Sequence, residues 1–288
     1  MAKSAGLATV DMSQTEAPVV IANRAKGSSF YSAMRILPRA QREAMYAIYD
    51  ICRAVDDVAD EGGTSEQRLA ELKRWRQDLD ALYGGGPPGR FATIVSIIGE
   101  FDLKKVDFLA LLDGMMMDAQ GIMIAPDMET LDLYCDRVAS AVGRLSNQIF
   151  GIHGDDNMRL AHHLGRALQL TNILRDLDED VDLGRLYVPR EALVQAGINS
   201  RDPVAVIADP ALGRACKPLI AKARFHFRQA AAAWQRIPRT ATRAPRLMGA
   251  IYRLLLDRLE ARGFQSPRNR IRLDRLTLIA LLIRNGLF

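Results

Sequence analysis

Gln169-Leu170-Thr171-Asn172-Ile173-Leu174-Arg175-Asp176-Leu177-Asp178-Glu179-Asp180 sets two amides and two acids at intervals of three and four. An α-helix turns once every 3.6 residues, so Gln169, Asn172, Asp176 and Asp180 fall on one stripe. A second stretch repeats the pattern. Tyr49-Asp50-Ile51-Cys52-Arg53-Ala54-Val55-Asp56-Asp57-Val58-Ala59-Asp60 puts Tyr49, Arg53, Asp56 and Asp60 on one face. Four steps along a helix rise about 6 Å, so each stripe offers two or three oxygen groups one turn apart. That spacing suits a hard divalent cation, and Mg²⁺ shared with a phosphate group is the usual case.

The plainer reading is a solvated acidic face. Like charges at i,i+4 cost an isolated helix about 0.2–0.5 kcal/mol per pair, and acids are unfavourable at a helix C-terminus, where the macrodipole is already negative. Gly62-Gly63 after one stretch and Gly184 after the other mark such ends. One acidic helix end is ordinary. Two, each led by an arginine and each set against the dipole, point to a shared metal site.

The rest of the chain is helical in pattern. Apolar residues recur at helical spacing over 38–60, 65–83, 91–101, 105–120, 130–150, 158–180, 190–196, 210–236, 244–262 and 273–284, and strand-like alternation is nearly absent. Gly84-Gly85-Gly86-Pro87-Pro88-Gly89 is the clearest break, a loop rather than a linker. Short connections predict an all-α, single-domain helical bundle with a central cavity over 28–288, preceded by a loose arm over 1–27. No secretory signal or 18-residue apolar run is evident.

Composition is globular, with 49% hydrophobic and 25% charged residues in 288. The net charge of +5 is uneven: residues from 201 onward carry +13, the first 200 carry −8. The acidic part suits metal, and the basic part suits diphosphate or a membrane surface. The dispersed basic residues lack a nucleic-acid motif. Cys52, Cys135 and Cys216 read as reduced packing residues of a cytoplasmic protein. The histidines show no ligand spacing, which argues against zinc, and His162 and His163 are expected to point to different sides of a helix.

Smaller features fit one chemistry. Ser28 and Ser29 precede a helical pattern, where backbone N–H groups and hydroxyls bind phosphate or simply cap the helix. Met115, Met116, Met117, Met123 and Met128 are expected in the core. The segment from Tyr134 to Gly143 is rich in small residues and admits a close neighbour or ligand, and 182–189 reads as either a flap or a plain connector. If the two stripes face each other, bound Mg²⁺ with Arg53 and Arg175 would neutralise a diphosphate leaving group. Departure from an allylic carbon leaves a carbocation, which an apolar cavity shields from water and an aromatic face such as Tyr134 stabilises. The absence of a GxxxxGK[ST] loop disfavours nucleotide chemistry.

In these motifs the chain resembles the squalene/phytoene synthase family, the head-to-head prenyltransferases: the DxxxD of Asp56–Asp60 behind Tyr49 and Arg53, the QxxNxxRDxxxD of 169–180, and the Tyr134–Gly143 helix between them. The resemblance spans roughly 28–270. It implies the isoprenoid-synthase fold, with Mg²⁺ (or Mn²⁺) held by Asp56, Asp60, Asn172, Asp176 and Asp180. It implies diphosphate binding by Ser28, Ser29, Tyr49, Arg53, Gln169, Arg175 and Tyr252, with Arg270 a looser match, and a role for Tyr134 with the cation and its proton. Gly27 stands where some relatives carry a hydroxyl, and the C-terminal anchor of eukaryotic squalene synthases has no counterpart.

Within the family the wording is most similar to bacterial presqualene diphosphate synthases of hopanoid pathways. The implied reaction joins two farnesyl diphosphates without NADPH. The implied setting is the cytoplasm or the inner membrane face, with peripheral membrane association and coupling to a downstream squalene-forming enzyme. The residues leave open a phytoene, dehydrosqualene or squalene synthase of the same fold. A non-catalytic helical assembly factor and a membrane-surface binding protein explain the acid stripes poorly.

Overall fold

The computed structural model describes residues 34–61 and 63–286. Ser28, Ser29 and the arm over 1–27 lie outside them. The stretch at 49–60 belongs to helix α1 (Arg39–Glu61), which buries Met45, Ile48, Ile51 and Val55 and leaves the Tyr49–Asp60 stripe at one side of that inner face. Helix α2 (Ser65–Tyr83) starts at a capping box, Thr64 with Gln67, and stops at Gly84. A 3₁₀ turn (Gly89–Ile94) leads to α3 (Val95–Phe101) and α4 (Lys105–Ala119). Then come α5 (Met128–Cys135), a π turn (Asp136–Ser140), α6 (Ala141–Ile149) and α7 (Gly154–Arg175). The chain closes with α8 (Leu177–Asp182), α9 (Arg190–Gln195), α10 (Pro203–Ala208), α11 (Leu212–Ala233), α12 (Arg239–Arg262) and α13 (Arg275–Gly286). Among the described residues no strand occurs; one parallel bridge joins Ile124 and Leu186.

Helix α7 is central. It packs most extensively on α11 and also meets α6, α12 and the π turn. One apolar cluster gathers on the α7, α11 and α12 side, a second on α1, α2 and α4, and a small third between α12 and α13. The π turn is wedged between two glycines. A Cβ on Gly165 of α7 would lie 2.7 Å from the Ser140 backbone, and one on Gly114 of α4 would lie 2.5 Å from Val138 Cγ1. The small residues predicted to allow a close neighbour do so here.

Several sequence boundaries shift, each for a local reason. The helix expected over 130–150 starts at Met128, where Asp127 caps it, and is interrupted by the π turn. The helix expected over 158–180 starts at Gly154 and breaks at Asp176, whose φ and ψ are −105° and 23°. Hydrogen bonds from Asp176 N to Asn172 O (2.9 Å) and Asp180 N to Asp176 O (2.8 Å) carry the turn through the break. The 91–101 pattern begins as a 3₁₀ turn, and α12 begins at Arg239, ahead of the expected 244. Helix α10 escaped the apolar pattern, although Asp202 capping a Pro203 first turn is a helix-start signal.

Of the cysteines and methionines expected in the core, Cys135, Cys216, Met115, Met117 and Met123 are buried, Met116 and Met128 are partly buried against it, and Cys52 is partly buried and lines the cavity described below; all three cysteines are free. The histidine expectation does not hold. The His162 and His163 rings meet edge to face with centroids 4.7 Å apart, and both lie beside His226 of α11. Sequence spacing is blind to that tertiary pairing.

Gly165→Ala should lower stability by about 1–3 kcal/mol, because the clashing atoms are backbone and cannot rotate away. Gly213→Ala on α11, where an added Cβ meets nothing within 4 Å, should be neutral or stabilising by up to about 1 kcal/mol. Urea unfolding of both variants checks the pair; equal effects would remove the close-approach argument.

Candidate active site

A cavity of about 890 Å³ lies among α1, the π turn, α6, α7 and α12, within the usual range for a small-molecule site of about 300–1,000 Å³. Its lining changes character along each helix. On α1 it runs from Met45 and Ile48 to Tyr49 and Arg53; on α7 it runs from Leu160 and Leu164 to Gln169, Asn172 and Arg175. The polar end therefore lies at the C-termini of both helices. Tyr252 and Arg270 join it, whereas Met248, Ile251 and Leu255 of α12 extend the apolar wall. Seven of the sequence-predicted residues, Tyr49, Arg53, Gln169, Asn172, Arg175, Tyr252 and Arg270, thus share one wall.

The acids sit just beyond it. Arg53 pairs with Asp56 and with Asp57 (2.9 Å). Arg175 pairs with Asp176, and Arg270 reaches the same carboxylate at 3.0 Å. Flanking acids are engaged elsewhere: Asp178 meets the nearly buried Arg268 at 2.5 Å, and Glu179 meets Arg270 at 3.4 Å. Burial and the neighbouring Asp60 carboxylate push Asp56 up to about 6; burial and Asp176 push Asp180 up to about 8. These are the environments a cation would reverse.

The donor set fits a hard divalent cation. Asn172 Oδ1 is buried with no hydrogen-bond partner, a position that costs free energy unless something electropositive meets it. Asp60 Oδ1 likewise accepts no hydrogen bond of good geometry, although Arg185 Nη1 lies 2.7 Å away as an ion pair. Amide and carboxylate oxygens are the donor type that Mg²⁺ takes.

Beneath the two stripes lies a buried polar centre of which the sequence reading named Tyr134 as a site residue but not its partners. Asp118 of α4 accepts hydrogen bonds from Tyr134 (2.9 Å) and Tyr187 (2.7 Å), and the two phenols stand 3.1 Å apart with stacked rings. Arg185 spans from Asp118 (3.6 Å) to Asp60, and donates to Ala59 O at 3.2 Å. Burial holds both phenols well above the usual tyrosine range and raises Asp118, with Arg185 opposing. Tyr134 is therefore a neutral donor inside this centre rather than part of the cavity wall.

The segment over 182–189 is anchored rather than free. Leu186 N donates to Met123 O and Ala125 N to Leu186 O, at 2.9 and 2.8 Å. Residues 185–189 are buried. The signal in the sequence was present but ambiguous: Arg185 and Tyr187 follow the acid stretch directly, and Asp118 ends an otherwise apolar helix.

In metal-free protein, stability should fall as pH rises from about 6.5 to 8. The folded protein keeps a proton on Asp180 up to about 8, which a solvated aspartate has long released, so folding is favoured below that value and the advantage is lost above it. Below 6.5 the trend is opposed by His163 and His226, which burial lowers to about 4. Thermal melts across the window check this; Asp180→Asn should flatten the slope, and an unchanged slope would place the raised proton elsewhere.

Residues 23–277 match the squalene/phytoene synthase family. The chain is 53% identical over 270 residues to a presqualene diphosphate synthase of Rhodopseudomonas palustris, covering 94% of this chain and 97% of that one. It is 54% identical over 263 residues to a presqualene diphosphate synthase of Sinorhizobium fredii, covering 91% and 94%. Among solved structures it is similar to a ligand-bound dehydrosqualene synthase, with a TM-score of 0.78, 26% identity and 92% of each chain covered. With its all-α fold and both acid motifs flanking one cavity, the chain belongs to the squalene/phytoene synthase family.

Proposed function

We propose that this chain is a prenyltransferase that condenses two farnesyl diphosphates head to head into presqualene diphosphate. The observation that carries the reading is the one cavity whose apolar walls end at two acid-bearing helix C-termini, in a chain over half identical to presqualene diphosphate synthases along nearly its full length. The cavity sheathes the isoprenoid tails. Tyr49, Arg53, Gln169, Arg175, Tyr252 and Arg270 hold the diphosphate, with Ser28 and Ser29 as further contacts. Asp56, Asp60, Asn172, Asp176 and Asp180 hold Mg²⁺, with Mn²⁺ as an alternative, and residues 28–288 act as one catalytic unit.

The bound metal supplies Lewis-acid neutralisation of the departing diphosphate. Arg53 and Arg175 add charge-assisted hydrogen bonds to its oxygens. The C1–O bond of one substrate breaks, with its electrons leaving on diphosphate. The C2–C3 π electrons of the other substrate bond to that C1, and loss of a proton closes the cyclopropane. The proton passes to the released diphosphate, while Tyr134, hydrogen-bonded to Asp118 at 2.9 Å, holds the buried centre beneath the acid stripes. No electrons are gained, so NADPH is not required. The product suits a downstream reductive enzyme that forms squalene.

The lipid substrate and product suit peripheral attachment at the cytoplasmic face of a membrane. Among the described residues no helix is long and apolar enough to cross one. Helix α13 packs Leu278, Leu281 and Leu282 inward, while Leu276, Ile279 and Ile283 are 79%, 51% and 50% exposed. Arg239, Arg243, Arg246, Arg253 and Arg284 line an adjoining recess. An apolar stripe beside clustered arginines fits an anionic bilayer surface.

Purified protein with farnesyl diphosphate and Mg²⁺ should yield a C30 cyclopropyl alcohol only after phosphatase treatment, with or without NADPH. Squalene only with NADPH, or a product only from geranylgeranyl diphosphate, would replace the assignment. Asp56→Ala and Asp176→Ala should abolish turnover while circular dichroism stays helical. Tyr134→Phe should preserve cyclopropane closure; its loss in a folded variant would put the proton on the phenol instead. Sedimentation with anionic vesicles should exceed that with zwitterionic ones and fall in Ile279→Asp; equal sedimentation would remove the membrane assignment.

A further inference from the structure

We propose that His162, His163 and His226 form a transition-metal site at the α7–α11 interface, separate from the acid site and suited to Zn²⁺, Ni²⁺ or Cu²⁺. The ligand-capable atoms of the three side chains all lie within 4.8 Å of one another. His163 Nδ1 and His226 Nδ1 stand 3.0 Å apart. Two imidazole nitrogens on one tetrahedral Zn²⁺, at about 2.0–2.1 Å each, are separated by about 3.3 Å. That pair is within about 0.3 Å of metal-bridged spacing before any metal arrives. The His162 ring, edge-on to His163 and 5.8 Å from His226 between centroids, supplies the third donor, and solvent completes the shell.

Position and donor type both separate this site from the catalytic one. Ala161, Leu164, Gly165 and Leu168 form the cavity-facing stripe of α7; at 100° per residue, His163 falls on the opposite side. Imidazole-only donors select borderline metals, whereas the carboxylate and amide oxygens of the acid site select hard ones. In the metal-free protein the two Nδ1 atoms face each other at hydrogen-bond distance; whichever ring donates must carry its proton on Nε2 instead before both Nδ1 atoms can bind a metal, a tautomer shift with no net loss of a proton. Of the cations whose charge reaches the rings, Arg159 opposes a dication, whereas Arg166 and Lys222 are offset. Arg166 pairs with Asp132 at 2.9 Å and Asp136 at 3.0 Å, and Lys222 pairs with Asp132 at 3.0 Å.

The consequence is a cross-link. Two ligands come from α7 and one from α11, so the metal would pin the helix that carries Gln169, Asn172 and Arg175 to its most extensive packing partner. Ligand binding to the folded state alone raises its melting temperature.

The test uses the full chain without any polyhistidine tag, held in excess Mg²⁺ so that the acid site is satisfied, and titrated with Zn²⁺. One equivalent should bind by calorimetry and elemental analysis. At a hundredfold excess over the dissociation constant the melting temperature should rise by about 5–10 °C. His162→Ala and His163→Gln, which alter exposed and half-buried positions, should each weaken binding at least tenfold. Asp176→Ala should keep the equivalent. No Zn²⁺ bound, or binding that survives both histidine variants, overturns the proposal. Neither outcome depends on turnover, so the catalytic assignment stands or falls separately.

Discussion

A guanidinium buried between carboxylates holds this molecule's functional end together. Arg185 is 8% exposed and touches Asp60, the Ala59 carbonyl and Asp118. Taking a charge out of water costs several kcal/mol unless partners satisfy it, and removing one partner from such an arrangement is worse than never having built it. Here the partners come from α1 and α4, and the arginine itself from the strap after α8. Its field also reaches Asp56 and Asp180, opposing the rise that burial and like charge impose. One side chain thereby lets two mutually repelling acid stripes share a space.

That arrangement runs against the local preferences of helices. Asp56, Asp57, Asp60 and Glu61 cluster at the C-terminus of α1 and Asp176 ends α7, where the dipole disfavours them. Asn172 leaves a buried oxygen without a partner. The fold offsets these costs elsewhere, through the α7–α11 interface, the capping box of α2 and the large apolar clusters on either side of the cavity. Violations of local rules gathered at one place are the physical signature of a site retained for chemistry rather than stability.

Much of this was legible because it is local. The stripes at 49–60 and 169–180 announce themselves by period, and the helices around them by apolar recurrence. What stayed hidden depends on distance in sequence or on a departure from 3.6. Asp118, Tyr134 and Tyr187 meet across separations of 16 and 69 residues, and nothing near any one of them names the others. His163 and His226 are 63 apart. The break at Asp176 keeps its stripe in line through two backbone hydrogen bonds, so the period survives although the helix does not. The π turn adds a residue to one turn within an unbroken apolar pattern, which periodicity reads as plain helix.

The wedged π turn also divides the cavity into unlike halves. Where α7 meets the turn, contact is backbone to side-chainless backbone, with Gly165 against Ser140. Any larger side chain there must displace a main chain, and with it the register of Gln169, Asn172 and Arg175. On the far side, Leu273 and Leu278 close against Met248 and Ile251 through side chains alone. An exchange there changes local volume and leaves the polar end where it was. The cavity therefore has a fixed wall and a re-cuttable one, and substitutions that change its depth without moving its polar end fall on the side built by α12 and the segment leading into α13.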